Sequence, residues 1–199
     1  MKTSIIILLF LFSNYTYGQS VSTDHIKFQS KSDSTGLLYE RHGIKDTNSF
    51  VIVISRSGLW TYGQYTDIFI FRPNRDPICL ENFESSNLKM TKSYKKKHRL
   101  KGACLDSISE IIKTNNFVFN IDSLKIMPEP ITKDSITTMI PTGDGLVYSL
   151  GIIKGSRYSH FITRSPEIII IAKAKGYKEK EKFLTLIKSL DKIKNCCQQ

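Results

Sequence analysis

Arg157, Tyr158 and His160 fall within one four-residue stretch, and a guanidinium, a phenol and an imidazole brought together could move a proton or hold an anion. Trp60 and Tyr62 stand two apart, so in a strand they share a face and could form a stacking platform for a sugar ring. The stretch "KMTKSYKKKHRLK", Lys89 to Lys101, carries seven Lys or Arg residues and no carboxylate. Lys95, Lys97 and Arg99 alternate within it, a row suited to an acidic partner. Each set also has a structural explanation. Tyr158 can pack while His160 is solvated, and aromatic residues are more often core than platform. Lysines at a sheet edge discourage pairing with another chain.

Signatures of hydrolytic and phosphate chemistry are absent from the sequence. There is no GxSxG, no SxxK with its partners and no Cys in a catalytic signature. His25, His42, His98 and His160 show no HExxH, HxH or paired spacing, so zinc hydrolysis has little support, and no cofactor or metal is implied. "GDGL" lacks the lysine and helix of a phosphate loop and is more simply a turn. Glu81 and Glu84 have opposite strand parity and Asp144 lies in a turn, so local spacing brings no two acids together for glycoside hydrolysis.

The first residues give the compartment. "MKTSIIILLFLFSNYTYGQS" has a lysine, an apolar run from Ile5 to Phe12, and small or polar residues ending at Gly18, the layout of a secretory signal peptide. The run is too short to span a bilayer. Residues 1–18 are therefore expected to be a signal peptide cleaved before Gln19, leaving residues 19–199 as a single domain without a transmembrane segment, exported to the periplasm or the medium. Removing residues 1–18 takes away one lysine and no acid, lowering the net charge from +11 to +10. Nucleic acid is then not an expected partner, whereas an acidic polysaccharide, an anionic lipid surface or an acidic protein is.

Export also changes how Cys79, Cys104, Cys196 and Cys197 are read. In an oxidising compartment they can pair in three ways, two of which tie the C-terminal tail to the body. The third is an adjacent, strained Cys196–Cys197 ring. Alternatively, Cys79 and Cys104 are small buried hydrophobes. A bond from the tail to Cys79 or Cys104 is the expectation.

The elements that must position these groups follow from periodicity. "SFVIVIS", Ser49 to Ser55, and "DIFIFR", Asp67 to Arg72, are apolar on both parities and predict central strands covered on both faces. "HIKFQSK", "GLLYERHG" and "ICLENF" predict further strands. In the basic stretch Leu88, Met90, Tyr94 and Leu100 share one parity while Lys95, Lys97 and Arg99 share the other, predicting a half-buried strand at a sheet edge. Leu105, Ile108, Ile111 and Ile112 fall on one helical stripe, predicting a helix from about Cys104 to Asn115.

Gly155 and Ser156 suit a type II′ turn pairing Lys154 with Arg157, which places Tyr148, Leu150, Ile152 and Phe161 on one face of a hairpin. Ser165, Pro166 and Glu167 have the layout of a helix start, although the isoleucines that follow suit a strand equally well. Phe183, Leu186, Ile187, Leu190 and Ile193 stripe a last, basic helix, whose lysines, Lys180 among them, are expected mostly off the stripe.

A hairpin ending in Ser-Pro and followed by a basic amphipathic helix resembles small exported bacterial proteins of unknown function over residues 103–193; the resemblance implies no activity. The expected fold class is α+β, a mostly antiparallel sheet packed by two or three helices. The expected function is a non-enzymatic binding or interaction module with an acidic partner. The alternatives are a hydrolase whose site converges only in the fold, and an inhibitor or immunity-type protein.

Overall fold

The computed structural model describes residues 26, 28, 30–31, 40, 44–45, 47–58, 63–73, 75–85, 94–100, 107–108, 110–111, 113–114, 131–133, 136–138, 145–171, 173 and 175–197. The fold is α+β. Seven strands form one antiparallel sheet: β1 (Ser30–Lys31), β2 (Phe50–Gly58), β3 (Gly63–Phe71), β4 (Ile78–Ser85), β5 (Tyr94–Arg99), β8 (Val147–Lys154) and β9 (Arg157–Arg164). The order across the sheet is β1-β9-β8-β2-β3-β4-β5, and β6 (Ile131–Lys133) pairs with β7 (Ile136–Thr138) in a separate ribbon. Two helices, α1 (Pro166–Ile171) and α2 (Tyr177–Cys197), follow β9. Ser107, Ile108, Glu110, Ile111, Lys113 and Thr114 are helical too, on the stretch where the sequence stripe predicts a helix.

The central strands are buried on both faces, as their two-parity apolar pattern requires. Phe50, Ile52 and Ile54 of β2 join Phe69 and Phe71 of β3, Leu150 and Ile152 of β8 and Phe161 of β9 in one core against Phe183, Leu186, Ile187, Leu190 and Ile193 of α2. Val51, Val53, Ile68, Ile70, Ile78 and Ile153 point to the other face and pack with Ile44. The stripe on α2 is thus the surface that the sheet buries. Lys180 departs from expectation: it lies under the helix, 1 % exposed, and donates to Thr163 Oγ1 at 3.0 Å. Burial of its ammonium lowers its pKa.

The hairpin has the register set by its turn. Lys154 pairs with Arg157 and Leu150 with Phe161. Gly155 takes φ +57° while Ser156 stays out of the left-handed region, as a type II′ turn demands. Beyond β9 the Ser-Pro-Glu signal prevails over the β tendency of the isoleucines, and Pro166–Ile171 is helix. Ser165 accepts the first helical bond, from the amide of Ile168 at 3.2 Å, and its own amide donates to Leu146 O at 2.8 Å. That approach needs a glycine opposite: a Cβ on Gly145 would lie 1.6 Å from Ser165 Oγ.

Candidate functional site

The register across β2, β3, β4 and β5 places side chains of the α2 face in transverse rows. Arg56 is opposite Tyr65, Tyr65 opposite Phe83, and Phe83 opposite Tyr94. In the next row Ile54 is opposite Asp67, Asp67 opposite Glu81, and Glu81 opposite Lys96. Asp67 carries a charge at an inward position of an otherwise apolar strand, which is tolerable only with partners. It has two. Arg56 Nη1 donates to its Oδ2 at 2.9 Å and Lys194 Nζ to its Oδ1 at 3.0 Å.

From these contacts runs a chain of alternating charge. Arg56 also pairs with Asp191 of α2, Lys194 donates to Glu81 Oε1 at 3.1 Å, and Glu81 Oε2 lies 3.0 Å from His98 Nε2. Burial opposes the charge on Arg56 and Lys194, but their carboxylate neighbours outweigh it and hold both pKa values above the ordinary range. Burial likewise opposes the Glu81 carboxylate, and hydrogen bonds to His98 and Lys194 outweigh it, lowering its pKa. Asp67, Glu81 and Asp191 therefore each have a cation in place. The chain clamps the last turns of α2 to three strands, and its acids are engaged rather than free for proton transfer.

Cys79 lies in the same neighbourhood as a free, fully buried thiol. Burial, aided by the nearby Asp67 carboxylate, pushes its pKa up to about 12. Of the two expected bonds from the tail, the one to Cys79 is not formed, and the ionic chain is an anchor for α2 that needs no cysteine. Cys104 and the side chains of Cys196 and Cys197 lie outside the described residues. Tyr148, on β8, donates to Glu167 Oε1 at 2.5 Å; burial first and this acceptor second raise its pKa.

Tyr94–Arg99 of the basic stretch form β5, the outermost strand of the sheet among the described residues, as expected. Lys95, Lys97 and Arg99 are exposed, and Lys96 on the opposite parity is exposed as well. None of the four makes an ion pair among the described residues. The parity argument is corrected at Tyr94, which is 38 % exposed, whereas Leu100 is buried at 2 %. Leu88 and Met90 lie outside the described residues.

Arg157, Tyr158 and His160 are not brought together as one cluster. Tyr158 and His160 share the face opposite α2, where Tyr158 packs on the second apolar group and His160 is exposed across from Gly151. Arg157 has the other parity, and its guanidinium stacks 4.8 Å from the ring of Phe28. Partial desolvation of its ring lowers the pKa of His160. Trp60 and Tyr62 lie outside the described residues.

An aromatic row that sequence spacing does not give takes their place. Tyr65 and Phe83 have ring centroids 4.5 Å apart, Phe83 and Tyr94 5.7 Å, and Lys96 Nζ lies 5.1 Å from the Tyr94 centroid. The members come from three strands, so only the register assembles them. Among the described residues no group of three or more His, Cys, Asp or Glu could hold a metal ion, and no helix is long and apolar enough to cross a membrane. No protein-family model matches the chain, and no curated protein matches it.

Proposed function

We propose that the chain is an exported, non-enzymatic binding module, cleaved before Gln19, whose acidic partner docks along the β5 edge. One observation carries it: Lys95, Lys96, Lys97 and Arg99 are all exposed on one six-residue edge strand, with no carboxylate among the described residues paired to them. The net charge of +10 left after residues 1–18 are removed with Lys2 adds a long-range attraction for polyanions. Lysines on an edge strand discourage pairing with another chain, and four cations on both parities also make a field of charge that a linear acidic polymer can follow.

Retention on a column of immobilised acidic polymer tests this. Wild-type protein is expected to bind and to elute with salt, because exposed charges are screened over about 10 Å at 0.1 M ionic strength. The triple variant Lys95→Gln, Lys97→Gln, Arg99→Gln should stay folded and elute at clearly lower salt. Co-elution of the two proteins would overturn the proposal. Mass analysis of the mature N-terminus tests export, with Gln19, free or cyclised, as the expected first residue.

A further inference from the structure

We infer that the acidic partner is a polysaccharide of uronic acid rings, held on the aromatic row Tyr65–Phe83–Tyr94 beside Lys96. The inference rests on the acidic-partner proposal and adds the chemical class. Helix α2 crosses the sheet from β9, where Lys180 meets Thr163, past Arg56 on β2, to Asp67 and Glu81 on β3 and β4. The helix meets the row Arg56–Tyr65–Phe83–Tyr94 at its Arg56 end, through Asp191, and the aromatic members continue from there toward β5. Tyr65 and Tyr94 are 40 % and 38 % exposed on either side of Phe83. They present ring surface and phenol hydroxyls together.

Tyr65 and Tyr94 stand two strand spacings apart, about 10 Å, room for two linked sugar rings. Lys96 shares the parity of Tyr94 and holds its ammonium over that ring, 5.1 Å from the centroid. A uronate polymer presents apolar C–H surface, hydroxyls and one carboxylate on each ring, so it uses all three features at once. An acidic peptide carries its carboxylates on flexible side chains and gains little from the row. Lys95, Lys97 and Arg99, on the other face of β5, extend the cation field along the edge.

The test titrates the mature protein with oligogalacturonate, with poly-glutamate of matched charge, and with phosphatidylglycerol vesicles. Wild type is expected to prefer oligogalacturonate. The double variant Tyr65→Ala, Tyr94→Ala should lose about tenfold of that affinity while poly-glutamate binding is unchanged. In the wild-type complex, saturation of aromatic protons should transfer to sugar ring protons, a readout that needs no variant to fold. Equal affinity for the two polymers, a preference for vesicles, or absent transfer overturns the polysaccharide assignment and leaves the acidic-partner proposal standing. Failure to bind all three probes overturns both.

Discussion

Lys194 Nζ lies 3.0 Å from Asp67 Oδ1, joining residues 127 positions apart and fastening the last turns of α2 to the middle of the sheet. Asp67, whose side chain is 4 % exposed, also accepts from Arg56, so both of its oxygens are engaged. Removing one member of such a set leaves the others desolvated without compensation. Asp67→Asn is therefore expected to destabilise the fold by about 3 kcal/mol, read from the shift of the urea midpoint. An unshifted midpoint would mean that the chain of charges does not anchor the helix.

Glu81 makes the same anchor sensitive to acid. Its folded pKa is below the ordinary value of 4.5, because His98 and Lys194 together outweigh the effect of its burial. A carboxyl depressed on folding contributes stability that is complete above the unfolded pKa and is lost as pH falls through the folded one. Unfolding free energy should accordingly decline as pH drops below 4.5. Glu81→Gln should flatten part of that decline, with the two proteins compared by urea titration at several acidic pH values.

Local pattern and long-range placement explain what was legible in the sequence. β2 and β3 could be read because "SFVIVIS" and "DIFIFR" are apolar on both parities, and the hairpin because one Gly-Ser pair fixes its register. Helix α1 was ambiguous, since isoleucines suit either state, and the Ser165 geometry against Gly145 and Leu146 accompanies the helical outcome. The charge chain was not legible as a set: Arg56 and Asp191 are 135 residues apart. Its one local signal was Asp67, an acid on the same parity as Phe69 and Phe71, which a buried strand position allows only with cations at hand.

The candidate site divides in the same way. The basic edge was visible as a run of lysines, but the aromatic row needs Tyr65, Phe83 and Tyr94 from three strands in one register. Parity with Leu100 puts Tyr94 on the α2 face, and the register agrees, but on the outermost strand of the sheet that face is buried at Leu100 and open at Tyr94. Cys79 was open to two interpretations, and its burial beside Asp67 favours the small hydrophobe.

Gly145 tests the junction between β8 and α1. An added Cβ would lie 2.5 Å from Ser165 Cβ and 3.1 Å from Ser165 Cα, a contact with backbone that a rotamer change cannot relieve. Gly145→Ala is expected to lower stability by about 2 kcal/mol, the range of overpacked positions. Thermal unfolding of the variant checks it, and an unchanged midpoint would show that Ser165 moves freely.

Tyr94 at the start of β5 and Leu100 just past its end give opposite outcomes for the same substitution. Leu100 is 2 % exposed in the core that includes Ile108 and Cys79, and its amide donates to Pro77 O at 3.0 Å. Leu100→Asp would bury a carboxylate among apolar side chains, and is expected to cost more than about 4 kcal/mol, enough to unfold a marginally stable domain. Tyr94 is 38 % exposed, so Tyr94→Asp keeps its charge in water and forfeits only the ring contacts with Phe83 and Lys96. That should lower stability by about 1 kcal/mol. Far-UV circular dichroism and urea unfolding of both variants decide the matter. A folded Leu100→Asp protein would show that β5 is not held to the core at its Leu100 end, and an unfolded Tyr94→Asp protein would show that the aromatic row is a structural strut rather than a surface for a partner.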